Sequence, residues 1–189
     1  MTDYGLLAKQ IVSLAEVDAH WLPVLSNVAA LLWDALDDVN WVGFYLVDSV
    51  TVSGAEPDVA PDAEPDAGSG VEPGAAPSDH EPCTPELRLG PFQGKVACVR
   101  IPFGRGVCGT AAATRTSQLI EDVHQFSGHI ACESVSNSEV VVPIFKDGQI
   151  VGVLDIDSPS VARFTQEDLA GLERVVKVLE SCANFSDFC

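Results

Sequence analysis

The stretch EVVVPIFKDGQIVGVLDID, residues 139–157, limits the choice of fold more than any other segment. Two runs rich in β-branched residues are joined by Lys146-Asp147-Gly148-Gln149. An Asp-Gly pair between two such runs is a strong signal for a tight hairpin turn. The stretch therefore predicts two antiparallel strands, and the fold has to contain a sheet that includes them.

The remaining elements predict strands in the middle of the chain and long helices at its two ends. Apolar residues recur at helical spacing in residues 4–14 and 20–36, and again after Thr165 and Asp168, which have capping-box spacing. An Ala-rich segment predicts a short helix at 107–115. Strands are predicted at residues 41–47, 87–90, 96–103 and 118–123. This order favours an α+β fold with a central antiparallel sheet and the terminal helices packed on one face.

Residues 53–82 differ sharply in composition from the rest of the chain. They contain six prolines and eight acidic residues and no Lys or Arg. Such a segment buries too little apolar surface to offset the entropy of ordering it, and its carboxylates repel one another. We therefore predict a disordered acidic insertion within a single domain that spans residues 1–189.

Composition excludes several classes of partner. Ten basic and 28 acidic residues give a formal charge of -18, which opposes binding to nucleic acids and to anionic membranes. No apolar run approaches the roughly 20 residues that span a bilayer, and the N-terminus lacks the features of a signal peptide. A cytoplasmic protein is expected, and in a reducing compartment its six cysteines are more often buried, metal-binding or redox-active than structural bridges.

Cys132 lies in the polar stretch GHIACESVSNSE, where three interpretations are open. His124 and His129 have ligand-like spacing and could form a zinc site with Cys132, but no close pair of cysteines supports it. A lone cysteine is often a buried hydrophobe, which suits Cys182 better. In a polar loop Cys132 tends to be accessible, which is one condition for thiol reactivity.

Asp155 and Asp157 alternate with apolar residues in VLDID, so both side chains are predicted on one face of a strand. Glu139, at the start of the preceding strand, could join that face. Neighbouring carboxylates repel, so at least one pKa should be raised unless a cation intervenes. Two interpretations are open. The carboxylates could lie on a solvated sheet face, or they could form a pocket for a cation next to the aromatic residues of WVGFY.

Five segments resemble the GAF-domain enzymes known as free methionine-(R)-sulfoxide reductases. They are NWVGFYL (40–46), LGPFQGKVACVRIPFGRGVCGTA (89–111), EDVHQFSGHIACE (121–133), SEVVVPI (138–144) and GVLDIDSP (152–159). The resemblance covers the chain from Asn40 onward apart from the acidic insertion. It implies a single GAF domain, in agreement with the architecture predicted above.

The resemblance also implies roles for individual residues. Cys132 would be the catalytic nucleophile, Cys98 its resolving partner and Cys108 an auxiliary thiol. Substrate contacts are implied for the pocket carboxylates, two aromatic side chains and the peptide beside the nucleophile: Glu139, Asp155, Asp157, Trp41, Tyr45, Ile130 and Ala131. Cys83, Cys182 and Cys189 fall outside the matched pattern.

The activity implied is reduction of free L-methionine (R)-sulfoxide through a sulfenic acid and an intramolecular disulfide. A thioredoxin-type dithiol protein would recycle the enzyme, no metal or organic cofactor would be needed, and a homodimer through the terminal helices is expected. The alternatives are a GAF module that binds a small molecule or senses oxidation, and a zinc site at His124, His129 and Cys132.

Overall fold

Six antiparallel strands form one sheet in the computed structural model, which describes residues 2–48, 85–126 and 136–185. Their order across the sheet is β3-β2-β1-β6-β5-β4. The strands are β1 (Trp41–Asp48), β2 (Glu86–Gly94), β3 (Arg100–Pro102), β4 (Gln118–Ile120), β5 (Ser138–Lys146) and β6 (Gln149–Ser158).

Helices cover both faces of the sheet. Three of them pack on one face around a large apolar core, namely α1 (Tyr4–Val17), α2 (Trp21–Ala35) and α4 (Gln166–Cys182). The short helix α3 (Gly106–Thr114) packs on the opposite face, around a smaller core. The predicted α+β fold, with its terminal helices on one face, is confirmed.

Two local signals in the sequence are confirmed in detail. Strands β5 and β6 pair as a hairpin, and its two turn residues, Asp147 and Gly148, both have positive φ angles (50° and 78°). Positive φ angles at both positions are required by the type I′ turn, which an Asp-Gly pair favours. Helix α4 begins with a complete capping box, in which Thr165 and Asp168 each accept from the other's backbone N–H.

Two predicted strands are shorter than expected. Of residues 96–103 only Arg100–Pro102 pair with β2. One further hydrogen bond, from the Leu89 N–H to the Val99 oxygen, follows this pairing, and residues 95–99 form a loop. Of residues 118–123 only Gln118–Ile120 form a strand. The carboxylate of Asp122 accepts from the His124 N–H and starts a short 3-10 helix instead.

The predicted acidic insertion at residues 53–82 lies outside the described residues. Within the described ranges, no helix combines the length and the apolar composition needed to cross a membrane.

Candidate functional site

The register of three strands brings the predicted carboxylates together. Asp157 on β6 is paired with Trp41 on β1 and with Glu139 on β5. Asp155, two residues earlier, is paired with Gly43 and Val141. Because side chains alternate along a strand, Glu139, Asp155 and Asp157 share the face that α3 covers. The predicted common face of the three acids is confirmed.

Helix α3 adds a thiol to these acids. Cys108 lies in its first turn, and the Cys108 Sγ donates to Glu139 Oε1 at 3.8 Å. One sulfur or oxygen atom from each of Cys108, Glu139 and Asp155 lies within 4.8 Å of the other two, and all three residues are buried. We call these three residues the acid-thiol cluster. Carboxyl groups in such a place have to be protonated, hydrogen-bonded or neutralised by a ligand.

Burial raises the pKa of both carboxyl groups in the acid-thiol cluster. The pKa of Asp155 rises from 3.8 to about 6, and that of Glu139 is well above its usual value. For Glu139 the negative charges of Asp155 and Asp157 add to the effect of burial. The predicted rise is confirmed, but repulsion between carboxylates comes second to desolvation as its cause. Both carboxyl groups therefore keep a proton to a higher pH than exposed carboxyl groups do.

The Cys108 thiol has a raised pKa as well. A position in the first turn of a helix normally lowers the pKa of a cysteine. Here burial and the neighbouring charges of Asp155 and Glu139 outweigh the helix and raise the pKa well above 9.0. Cys108 is therefore a hydrogen-bond donor rather than a thiolate.

One oxygen of the acid-thiol cluster has no hydrogen-bond partner within the described ranges. Asp155 is 6% exposed, and its Oδ1 accepts no hydrogen bond from the part of the chain that the structure describes. Leaving a buried polar atom unsatisfied costs about 1 to 3 kcal/mol, and more when the group is charged. A ligand that brings a cation or a hydrogen-bond donor to this atom would remove that cost.

Aromatic rings stand beside the carboxylates. Trp41 stacks on Tyr45 with ring centroids 5.7 Å apart and on Phe92 with centroids 5.3 Å apart. Burial and then the charges of Asp155 and its neighbours raise the pKa of Tyr45, which stays a neutral phenol. Trp41 and Tyr45 were predicted from the resemblance, whereas Phe92 was missed.

The missed aromatic residue follows from the length of β2. This strand was predicted to end at Gly90 but continues to Gly94, so that Phe92 pairs with Gly43. A Cβ atom on Gly43 would lie 2.4 Å from the Cβ of Phe92 and 2.5 Å from the Trp41 ring. The glycine therefore allows the two rings to stack, and the Gly in WVGFY was the signal that could have indicated it.

Cys98 lies in the loop of residues 95–99 and is disulfide-bonded. Cys108 and Cys182 are free thiols, so the partner of Cys98 is not among the described residues. The predicted nucleophile Cys132, together with Ile130 and Ala131, also lies outside the described residues. Their roles stay predictions.

The structure gives His124 a structural role. Its Nε2 lies 3.0 Å from Asn137 Oδ1, and it belongs to the short 3-10 helix. The other two residues of the alternative zinc site, His129 and Cys132, lie outside the described residues. In the described ranges the one group with metal-like geometry is the acid-thiol cluster, without His124. A metal ion could bind there only after the Cys108 thiol lost its proton, which its raised pKa opposes.

A separate surface groove of about 650 Å³ lies between β5 and α4. The residues that line it include Val142, Phe145, Leu169, Arg174 and Lys177. Among the described residues that line it there is no member of the acid-thiol cluster and no cysteine, so none of them supplies a thiol.

Known proteins resemble this chain in sequence and in fold. The family model described as "GAF domain" matches residues 20–182. The free methionine-R-sulfoxide reductase of Escherichia coli (strain K12) is 43% identical over 98% of this chain and 91% of its own. The Saccharomyces cerevisiae protein of the same name is 38% identical over 89% and 79%. A structure described as the reduced form of fRMsr of Staphylococcus aureus covers 97% of both chains with a TM-score of 0.76 and 46% identity.

Proposed function

Because this chain belongs to the GAF-domain family of free methionine-R-sulfoxide reductases, we propose that it reduces free L-methionine (R)-sulfoxide to L-methionine. The observation that carries the proposal is the acid-thiol cluster beside stacked aromatic rings, with one buried carboxylate oxygen that has no hydrogen-bond partner among the described residues. Preference for the (R) epimer rests on the names of the relatives.

The substrate's ammonium group is assigned to Asp155. Its Oδ1 is buried and unsatisfied in the described part of the chain, and a cation is the ligand that a buried carboxylate favours. Since a peptide nitrogen carries no charge, methionine sulfoxide within a protein cannot supply this cation. The requirement for a charged ammonium explains why the substrate should be the free amino acid.

The methyl-sulfinyl end is assigned to the side of the pocket lined by Trp41 and Tyr45. Their stacked rings offer an apolar surface on which a methyl group and a polarizable sulfur can pack. Backbone N–H groups at Ile130, Ala131 and Cys132 are proposed as donors to the sulfoxide oxygen.

The chemical step needs a thiolate and an acid. The Cys132 thiolate attacks the sulfoxide sulfur while an acid protonates the oxygen, then the oxygen passes to Cys132, methionine leaves, and Cys132 becomes a sulfenic acid. Glu139 and Asp157 are the candidate acids. Glu139 is supported by its burial and by the charges around it, which raise its pKa well above the ordinary value and favour the protonated form.

Recycling requires a second thiol. Cys98 attacks the sulfenic acid, displaces water and forms a disulfide with Cys132, which a thioredoxin-type dithiol protein then reduces by exchange. The disulfide at Cys98, with a partner outside the described residues, supports this assignment. Cys108 has a raised pKa and donates to Glu139, which supports a role in positioning that acid rather than in attack.

We also propose that the protein forms a homodimer, as the resemblance implies. Large apolar side chains on α1 and α2 are exposed, among them Leu6 (53%), Leu22 (46%) and Trp33 (39%). A second copy of the chain would cover them. Sedimentation velocity of the purified protein tests this point, and a monomer at all concentrations would contradict it.

An NADPH-coupled thioredoxin assay tests the proposed activity. It compares free (R)-, free (S)- and peptide-bound methionine sulfoxide, and turnover of the free (R) form alone is the expected result. Binding of methionine sulfoxide without turnover would instead indicate a sensing module. Activity on none of the three, together with one bound zinc per chain, would indicate the zinc site.

A further inference from the structure

We infer that the loop of residues 95–99 is the surface on which the reducing dithiol protein docks, and that this partner attacks the Sγ of Cys98. The inference rests on the proposed function, because it needs the disulfide to be part of the catalytic cycle. It adds the place where the partner binds and the sulfur atom that it reaches.

The loop exposes apolar side chains on both sides of Cys98. Val96 is 88% exposed and Val99 is 65% exposed. The described residues include eight exposed large apolar side chains, of which five lie on α1 and α2 and one is Val161. Val96 and Val99 are therefore the ones that stand next to a redox-active cysteine.

Single exposed apolar side chains are common on protein surfaces. Two exposed valines that flank a disulfide-bonded cysteine instead form an apolar patch. A protein that reduces a disulfide must bring its own sulfur into bonding distance of one of the two sulfur atoms. Its surface around the attacking thiol therefore has to cover the residues on either side of the cysteine that it reaches. For Cys98 those residues are Val96, Ala97 and Val99.

The loop is held in place before the partner arrives. The Trp41 Nε1 donates to the main-chain oxygen of Lys95 at 3.1 Å, and the Leu89 N–H donates to the oxygen of Val99 at 3.0 Å. Between these two anchors, Ala97 and Cys98 pack against the smaller core, so the valines face outward. A preordered patch lowers the entropy cost of docking.

The exchange proceeds in two balanced steps. The partner's thiolate attacks the Cys98 sulfur, a new disulfide joins the two proteins, and Cys132 leaves as a thiolate. The partner's second thiolate then attacks the partner's own sulfur in this mixed disulfide and releases the thiolate of Cys98. Two electrons pass to the enzyme, and the partner leaves with an intramolecular disulfide.

The test replaces each valine with aspartate and separates docking from chemistry. Val96→Asp and Val99→Asp are compared with Val17→Asp and Val161→Asp, two positions of similar exposure (88% and 58%) away from the loop. Turnover of free methionine (R)-sulfoxide is measured with thioredoxin, thioredoxin reductase and NADPH, and separately with dithiothreitol.

We expect Val96→Asp and Val99→Asp to raise the KM for thioredoxin about fivefold or more, the size of effect typical of contacts central to an interface. Their turnover with dithiothreitol should equal that of the wild type, and the two control variants should match the wild type in both assays. An unchanged KM for thioredoxin in both loop variants overturns the inference. Wild-type protein that works with dithiothreitol but not with thioredoxin also overturns it, whereas a wild type inactive with both reductants refutes the proposed function itself.

A second measurement identifies the sulfur that is attacked. Thioredoxin with its second cysteine replaced by serine traps the mixed disulfide, and mass spectrometry of the linked peptides locates it. Linkage to Cys98 supports the inference, and linkage to Cys132 contradicts it.

Discussion

The thiol of Cys108, in the first turn of α3, donates to Glu139 Oε1 on β5 at 3.8 Å, so a buried hydrogen bond joins the helix to the sheet. A thiol that donates in this way is protonated. A nucleophilic cysteine has to be a thiolate, since the thiolate is the reactive form. The relationship therefore separates Cys108 from the cysteine proposed to attack the substrate.

This separation predicts a difference in alkylation rate. In the folded, reduced protein at pH 7.5, iodoacetamide should modify Cys132 at least about ten times faster than Cys108, because Cys108 is buried and burial raises its pKa. Time-resolved mass spectrometry of the peptides measures both rates. In denaturant the two rates should converge, and equal rates in the folded protein would contradict the prediction.

Replacement of the two proposed redox cysteines should have different kinetic consequences. Cys132→Ser should reduce turnover to background, because no thiolate remains to attack the sulfoxide. Cys98→Ser should release one methionine per enzyme and then recycle slowly, because the sulfenic acid has no internal partner. Rapid quench with chromatography of methionine measures both.

Cys182→Ser is the matched control for these variants. Cys182 is a free, half-buried thiol near the C-terminal end of α4, so its loss should leave turnover unchanged. Substantial activity in Cys132→Ser would refute the assignment of the nucleophile.

The raised pKa of Asp155 predicts how the stability of the fold depends on pH. In the folded protein Asp155 keeps its proton up to about pH 6, whereas in the unfolded chain an aspartate with the ordinary pKa of 3.8 releases its proton at a lower pH. The folded state therefore binds more protons in this window, and stability is lost as pH rises from about 4 to 6. The difference between the two pKa values corresponds to about 3 kcal/mol.

Asp155→Asn removes this titration. The free energy of unfolding, measured with urea, is compared for the variant and the wild type. The variant's value minus the wild type's value should rise by up to about 3 kcal/mol between pH 4 and pH 7. Asp34→Asn, at an exposed position, removes the same charge and accounts for the general effect of one fewer negative charge. Parallel curves for Asp155→Asn and wild type would contradict the prediction.

In the activity assay Asp155→Asn should raise the KM for methionine sulfoxide, because the amide offers the ammonium no charge.

Gly94 is predicted to be essential for the position of Trp41. Its φ angle is +127°, and a Cβ there would lie 2.8 Å from both the Asn40 oxygen and the Trp41 ring. Gly94→Ala should therefore destabilise the protein by about 3 kcal/mol, the sum of backbone strain and overlap, and raise the KM for methionine sulfoxide.

Gly104→Ala provides the comparison. Gly104 also has a positive φ angle, +78°, but a Cβ there meets nothing within 4 Å. This variant should lose about 1 to 2 kcal/mol from backbone strain alone and keep the wild-type KM. Urea unfolding and steady-state kinetics measure both effects, and equal losses for the two variants would show that overlap with Trp41 is unimportant.

Features that depend on neighbouring residues were predictable from the sequence. The Asp147-Gly148 turn, the capping box of Thr165 and Asp168, and the shared face of Asp155 and Asp157 each arise from contacts within a few positions. Backbone preferences and the alternation of side chains along a strand act at this range. The resemblance also indicated Trp41, Tyr45 and Glu139, which the structure brings to the same region as these acids.

The sequence by itself thus determined the order of the main helices and strands, and together with the resemblance it indicated the carboxylates and two of the aromatic side chains of the candidate site. Only the tertiary structure decided that Cys108 lies against Glu139, that Phe92 extends the aromatic stack, and that residues 95–99 form a loop held by Trp41. These contacts join residues far apart in the chain, Trp41 and Lys95 being separated by 54 positions, so they depend on strand register and packing. The main cause of the raised pKa values belongs to the same class, because desolvation exists only once the helices and the sheet enclose the carboxyl groups.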